Sequence, residues 1–363
     1  MPRVIGIDPG TLSISLCGIE DGRLFLDRSI PTADALASPS LILDELARAG
    51  GVDLIAGPSG YGLPLTTAQD LSEADLRLAY LSAGGEPGGI RGLTSLVRMF
   101  AASSLPVVLT PGVIHLASVP EHRKVNRVDM GTADKVCAAA LAISEHASKQ
   151  GIGPQDVDII VLELGGAFSA AVAIERGRIV DGIGGSSGPI GAHAVGALDG
   201  EVAFLAGTIA KSQLFHGGAS TIADMEDASF DELAAAASPR AQLAWDAFIE
   251  GALKAVAALM VSVPGARAVI LSGRAGTHPR VASDLRQALA RIAPVASVTR
   301  LDGFASEASR AAQGAALIAD GLAGGRSAAL VDTLGIREAS GTVVDHLHVI
   351  SPADALARLG LSE

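Results

Sequence analysis

Cationic residues are scarce in this chain: 27 Lys and Arg stand against 39 Asp and Glu, for a formal charge of −12. Contact along a nucleic-acid backbone needs clustered positive surface, so nucleic acid is excluded as an expected partner. Cysteine is nearly missing, and Cys17 and Cys137 are too few for a disulfide framework or a zinc site. Long apolar runs are missing as well. The most apolar stretch, 252–263, contains Lys254, is followed by Pro264, and is too short to span a bilayer. The first residues, Met1-Pro2-Arg3, lead into strand-like sequence without the pattern of a secretory signal. The expectation is a cytoplasmic protein with no membrane partner. What the chain does have is apolar residues, 49% of 363, with charged residues at 18%. That balance argues against disorder, and the length suits two domains around substantial cores.

The chain also contains an internal repeat. Residues 4–24 align without a gap onto 159–179, with Gly10 on Gly165, Glu20 on Glu175, Gly22 on Gly177 and Arg23 on Arg178. Asp8 falls on Glu163, so an acid precedes a glycine turn in both copies. Each copy reads as three strands, with a Glu-x-Gly-Arg turn before the third. Duplication implies two lobes whose glycine turns face one cleft.

Between and after the copies the pattern alternates helix with strand. Helices are expected over 34–50, 91–104, 131–149, 239–263, 278–292 and 305–322. Strands are expected over 52–57, 106–110, 267–272 and 295–300. Such alternation builds mainly parallel central strands, with an antiparallel part from the hairpins, so the class is α/β. The expected division is an N-terminal lobe over 1–153, a C-terminal lobe over 154–325 with an insertion near 196–238, and an extension over 326–363. Gly151, Gly153 and Pro154 mark a hinge near 150–157.

Several residues carry chemistry. A glycine turn after an acid suits a phosphate chain: the backbone N–H groups of Gly10, Thr11 and Leu12 can converge on phosphate oxygens, and the Thr11 and Ser13 hydroxyls add donors. Asp8 at a strand end can hold Mg²⁺. Glu163, Gly165 and Gly166 form the mirror-image turn, with Glu163 as a second acid near the metal or a general base. Ser272, Gly273, Arg274 and Ala275 follow a strand and precede a helix, where a small-residue loop accepts an adenine ring and the Arg274 stem packs on its face. Ser59 and Tyr61 lie at a strand's C-terminal end, the usual place for ligands in α/β sheets. Tyr61 is one of only two tyrosines and is flanked by glycines. Asn126, Arg127 and Asp129 form a polar cluster before a helix, and Arg127 can pair with an acyl or phosphoryl oxygen. Glu307, at the start of the last helix, is a candidate to approach the nucleotide cleft. Each motif has a plainer reading: a hairpin turn for Asp8, a strand terminus for Glu163, N-capping for Thr132 and Asp134, and a first-turn acid for Glu307. The glycines over 182–188 have the wrong spacing for a dinucleotide fingerprint. His115, His122, His193 and His216 lack metal-ligand spacing, and His193 is kept as a candidate contact for the substrate.

In order along the chain, Gly6-Ile-Asp-Pro-Gly-Thr11, Glu163-Leu-Gly-Gly166, Leu271-Ser-Gly-Arg-Ala-Gly276 and Ala312-Gln-Gly-Ala-Ala-Leu317 resemble the phosphate, adenosine and final-helix motifs of the acetate and sugar kinase, Hsp70 and actin superfamily. The resemblance implies a duplicated, actin-like (ribonuclease H-like) two-lobed fold that closes on ATP and Mg²⁺. The nearest likeness is to the acetate and butyrate kinases, and more narrowly to a family of predicted butyrate kinases. It rests on 127–135, on Glu163-Leu-Gly-Gly-Ala-Phe-Ser169 beside their His-Leu-Gly-Gly-Gly-x-Ser signature, and on 177–199. It implies a kinase that moves the γ-phosphoryl of ATP to a small carboxylate. Two positions depart from that family: Glu163 replaces the signature's histidine, and Ala192-His193-Ala194 stands where an arginine is expected. These departures leave two alternatives open, an ATP-binding regulatory module and a kinase for a sugar or other alcohol, with Asp129 or Glu163 as base. A homodimer is compatible with the sequence, which does not itself report an oligomeric state.

Overall fold

A computed structural model describes residues 1–38, 40–82, 93–292 and 297–361. The first sheet has the order β3-β2-β1-β4-β6-β5, from β1 (Arg3–Pro9), β2 (Ser13–Glu20), β3 (Arg23–Pro31), β4 (Leu54–Pro58), β5 (Thr66–Thr67) and β6 (Val107–Thr110). The second has the order β9-β8-β7-β10-β11, from β7 (Ile159–Leu164), β8 (Ser169–Glu175), β9 (Arg178–Ile183), β10 (Ala268–Ser272) and β11 (Ser297–Arg300). In each sheet three antiparallel strands are joined by two parallel ones, and the short β5 adds an edge to the first.

The repeat extends to the hydrogen-bond register. Val4 pairs with Ile19 and Asp8 with Ser15, while Ile159 pairs with Ile174 and Glu163 with Ala170. Every residue keeps the offset of 155 that separates Asp8 from Glu163. A bulge falls between Gly18 and Ile19 in one copy and between Ala173 and Ile174 in the other. The second turns match too: Asp21 and Gly22 have φ of 51° and 72°, Arg176 and Gly177 of 52° and 70°. Two successive left-handed residues give a hairpin turn that suits strand twist, which explains the glycine at its second position.

The helices follow the sequence pattern closely, with shifted ends. The expected 34–50 helix is two helices, Thr32–Ala37 and Ser40–Ala49. The others are Leu93–Ala101, Ala133–Gln150, Pro239–Ser262, Pro279–Ile292 and Arg310–Leu322. Positions 91–92 and 295–296 of the expected elements lie outside the described residues. The last helix starts at Arg310 rather than 305, because Asp27 accepts hydrogen bonds from the N–H groups of Ser306, Glu307 and Ala308, and Ser309 caps Ala312.

The last helix crosses to the opposite half, and Ala133–Gln150 touches both sheets. Arg310–Leu322 packs on β1, β2 and β4 of the first sheet, and on the Ala133–Gln150 helix. Small residues allow this: a Cβ at Gly6 would stand 2.1 Å from the Ala312 oxygen, and one at Gly314 1.8 Å from the Cys137 oxygen. The Ala-rich faces of both helices fill the main core between the sheets. A second core, with Trp245 and Phe248, lies in the second half.

The inserted region contains three short helices, Gly200–Ala206, Ala219–Ile222 and Phe230–Ala235; Asp199 and Ser229 cap the first and last. The extension straps the first half: Arg77 donates to the carbonyls of Leu359 and Gly360, and Ser340 N–H to that of His115. Gly151 ends the Ala133–Gln150 helix in the left-handed region, and Pro154–Asp156 forms a short 3₁₀ turn packed against Gly177. Among the described residues no helix is long and apolar enough to cross a membrane.

Candidate active site

The glycine turns after β1 and β7 face a cavity of about 590 Å³ lined by both halves. The turns are built alike. Gly10 N–H donates to the Ser13 oxygen at 3.0 Å, and Gly165 N–H to the Phe168 oxygen at 2.9 Å. A Cβ would meet those same oxygens at 2.9 and 3.0 Å, so a side chain at either position would crowd its turn. The N–H of Gly10, expected to point at phosphate, is thus spent inside its hairpin; its value is close approach. Leu12 crosses to the second turn, where a Cβ on Gly166 would lie 3.1 Å from Leu12 Cδ1.

Asp8, Asp134, Glu163 and Lys135 lie together on the cavity wall. Asp8 Oδ2 accepts from the Ser309 hydroxyl at 2.6 Å. Burial, then the charge of Asp134, push its carboxyl up to about 7. Asp134 accepts from Lys135 Nζ at 2.5 Å and from the Thr132 hydroxyl. Burial acts to raise Asp134, but Lys135 outweighs it and holds the carboxyl below its usual value. Burial likewise acts to lower Lys135, and Asp134, Glu163 and Asp8 more than offset it, so its ammonium keeps its proton. Glu163 is pushed up by burial, with the charge of Lys135 pulling the other way. Its Oε2, and the Ser272 hydroxyl, are buried without a hydrogen-bond partner among the described residues.

Two helices begin here. Thr132 precedes Ala133–Gln150, and its hydroxyl bonds to Asp134 instead of making the expected capping bond. Ser309 caps the last helix and also holds Asp8. Both positive helix ends therefore meet the cavity.

Of the residues singled out in sequence, Asp8, Gly10, Thr11, Ser13, Tyr61 and Asp129 line the cavity from the first half. Glu163, Gly165, Gly166, Gly273, Arg274 and Glu307 line it from the second. Ser272 and Ala275 are buried beneath that wall. Four more residues do not line it either. Ser59 is buried, donating to the Thr110 carbonyl and accepting from Leu63 N–H, which fixes its loop. Asn126 takes φ of 53° and accepts from His348 and Val349 N–H, holding the extension. Arg127, beside it, is exposed. His193 shares a hydrogen bond with Ser220. Asp129 is engaged as well: its carboxylate accepts from Gly131 N–H and from both the N–H and hydroxyl of Ser186.

Sequence reasoning took Asp134 and Lys135 for first-turn residues and did not pick out Ser309, Lys211, Phe168 or Phe215. A Gly-Thr-x-Asp-Lys helix start was the available signal for the first two. Lys211 and Phe215 sit on a short 3₁₀ turn in the insertion, where no periodicity announces them.

The family model described as "Protein of unknown function (DUF1464)" matches residues 6–349. The chain belongs to this family. No curated protein matches the sequence. Solved structures do. A propionate kinase from Francisella tularensis subsp. tularensis SCHU S4 has a TM-score of 0.61 at 14% identity, over 86% of this chain and 99% of that one. The acetate kinase of Entamoeba histolytica has 0.59 at 14%, over 80% and 87%. The Lmo2764 protein of Listeria monocytogenes, whose proposed substrate is N-acetylmannosamine, has 0.53 at 13%, over 86% and 97%. Likeness at this level speaks to fold: this DUF1464 chain has the duplicated, two-lobed, actin-like architecture.

Proposed function

We propose that this chain is an ATP-dependent phosphotransferase acting on a small carboxylate. The reading rests on one observation above all: two duplicated glycine turns, each preceded by an acid, face one cavity with Lys135 among the acids.

The residues fit the nucleotide and its cation. Glu163 Oε2 is a buried oxygen without a partner, and such an atom favours a donor or a cation. Oxygen donors suit Mg²⁺, which is commonly held by one or two carboxylates and shared with phosphates. Among the described residues no group of three or more His, Cys, Asp or Glu could hold a metal alone. Shared coordination through Asp8 and Glu163 suits that donor set. Bound Mg-ATP supplies the transferable phosphoryl group and a cation that neutralises its charge. Gly10, Gly165 and Gly166 give close approach, while Arg274 and Thr277 line the cavity beside the second turn. Lys135, kept charged by its acids, places a fixed positive group where negative charge develops. Ser309 orients the Asp8 carboxyl.

A carboxylate acceptor needs no proton removed. An alcohol does, and Asp129, one of two residues considered for that task, already accepts three hydrogen bonds. Acyl-hydroxamate formation from Mg-ATP, hydroxylamine and a panel of carboxylates tests the proposal. Product with at least one acid is expected. ATP binding without product from any acid would favour a nucleotide-gated binding module instead.

A further inference from the structure

Aromatic residues are rare here: eight Phe, two Tyr and one Trp in 363 residues. Three of them, Phe230, Trp245 and Phe248, pack together in the second half's core. Four others line this cavity: Tyr61 and Tyr80 from the first half, and Phe168 and Phe215 from the second. Both tyrosines of the chain are thus spent on this wall. Phe168 and Phe215 meet edge to face with centroids 4.9 Å apart. Phe168 also closes the second glycine turn through its carbonyl, so the aromatic wall begins at the proposed phosphate site. Leu93 and Leu214 extend it. Lys211, on the same turn as Phe215, donates to the Tyr80 carbonyl and lies 5.2 Å from the centre of the Tyr61 ring.

We infer that the acceptor is a carboxylate carrying a bulky apolar body, a ring or a branched chain. The body lies among Tyr61, Tyr80, Phe168 and Phe215. This rests on the phosphotransferase reading and narrows its substrate class. Rings attract one another edge to face, and each buried apolar group adds to affinity. A two-carbon acid leaves this wall uncovered. A polyhydroxylated acceptor fits it worse, because its hydroxyls would meet rings and methyl groups, and the neighbouring Asp129 is already engaged.

Calorimetric titration of acetate, isovalerate, phenylacetate and phenylacetamide into the full chain reads binding without turnover. Isovalerate and phenylacetate are expected to bind at least roughly ten-fold more tightly than acetate, and phenylacetamide at least roughly ten-fold more weakly than phenylacetate. Phe215→Ala is expected to shrink the phenylacetate-to-acetate ratio to about three-fold or less, with Phe215→Leu recovering much of it. Equal binding of acetate and phenylacetate, an unchanged ratio in Phe215→Ala, or amide binding as tight as the acid would each overturn the inference. Hydroxamate formation separates the two readings. Phenylacetate bound but never phosphorylated sinks the transfer reading alone; acetate phosphorylated as readily as phenylacetate sinks the substrate inference alone.

Discussion

Asp27 in β3 and Gly182 in β9 occupy the same place in the two copies of the repeat, paired with Cys17 and Val172 respectively. Each touches the segment that leads into the last helix of the opposite half. Asp27 does so with hydrogen bonds to Ser306, Glu307 and Ala308. Gly182 does so by close approach, since a Cβ there would stand 1.9 Å from the Met130 oxygen. Gly6 and Val161 differ in the same way. Gly6 lets the last helix rest backbone to backbone on β1, while its counterpart Val161 carries a buried side chain. At the cavity, Asp8 is held by Ser309, whereas Glu163 keeps an oxygen unpartnered. Duplication kept the backbone, and the contacts at its crossing points diverged. The first acid is positioned, and the second is left available.

The largest effect is expected at the closest crossing. Gly6→Val should cost more than about 3 kcal/mol, and Val161→Ala about 1–2 kcal/mol, in urea unfolding. Equal costs would break the comparison. Next, Asp8→Asn should lower turnover roughly 100-fold, read by hydroxamate formation. Glu163→Gln should also lower it while raising the melting temperature of the nucleotide-free protein, because it removes a carboxyl that burial disfavours and one of whose oxygens has no hydrogen-bond partner among the described residues. A fall in melting temperature would contradict that asymmetry. Asp27→Ala should cost about 1–2 kcal/mol in the same unfolding assay, through the lost bonds to 306–308.

The smallest effect is a pH dependence. The Asp8 carboxyl rises from 3.8 to about 7 on folding, so between those values the native state binds more protons than the unfolded one. Its contribution to stability therefore falls as pH rises from about 4 to 7 and is level above that. With a chelator present, Asp8→Asn should gain about 2–4 °C over wild type at pH 8 relative to pH 4.5, by calorimetry. No differential gain would remove the burial argument for Asp8.

Much of this was legible in the sequence because it is local. Strand alternation, an acid before a glycine turn and a second Gly-Arg turn repeat along the chain, and they located both hairpins and Asp8, Glu163 and Gly273 on the cavity. Partners joined only by folding were not legible. Ser309 reaches Asp8 because the last helix crosses to the first sheet, and no periodicity encodes that crossing. Asp134 and Lys135 look like any helix start until Asp8 and Glu163 close around them. Asn126 and Arg127 read as a polar site cluster, yet Asn126 is committed to holding the extension, which only the tertiary contacts at His348 and Val349 show.

The most direct measurement is calorimetric titration of Mg-ATP into the full chain and into Asp8→Asn and Glu163→Gln. If the duplicated turns hold the nucleotide, wild type binds one equivalent and both variants bind it more weakly or not at all. Absence of binding to wild type, or equal affinity in all three proteins, would contradict the account.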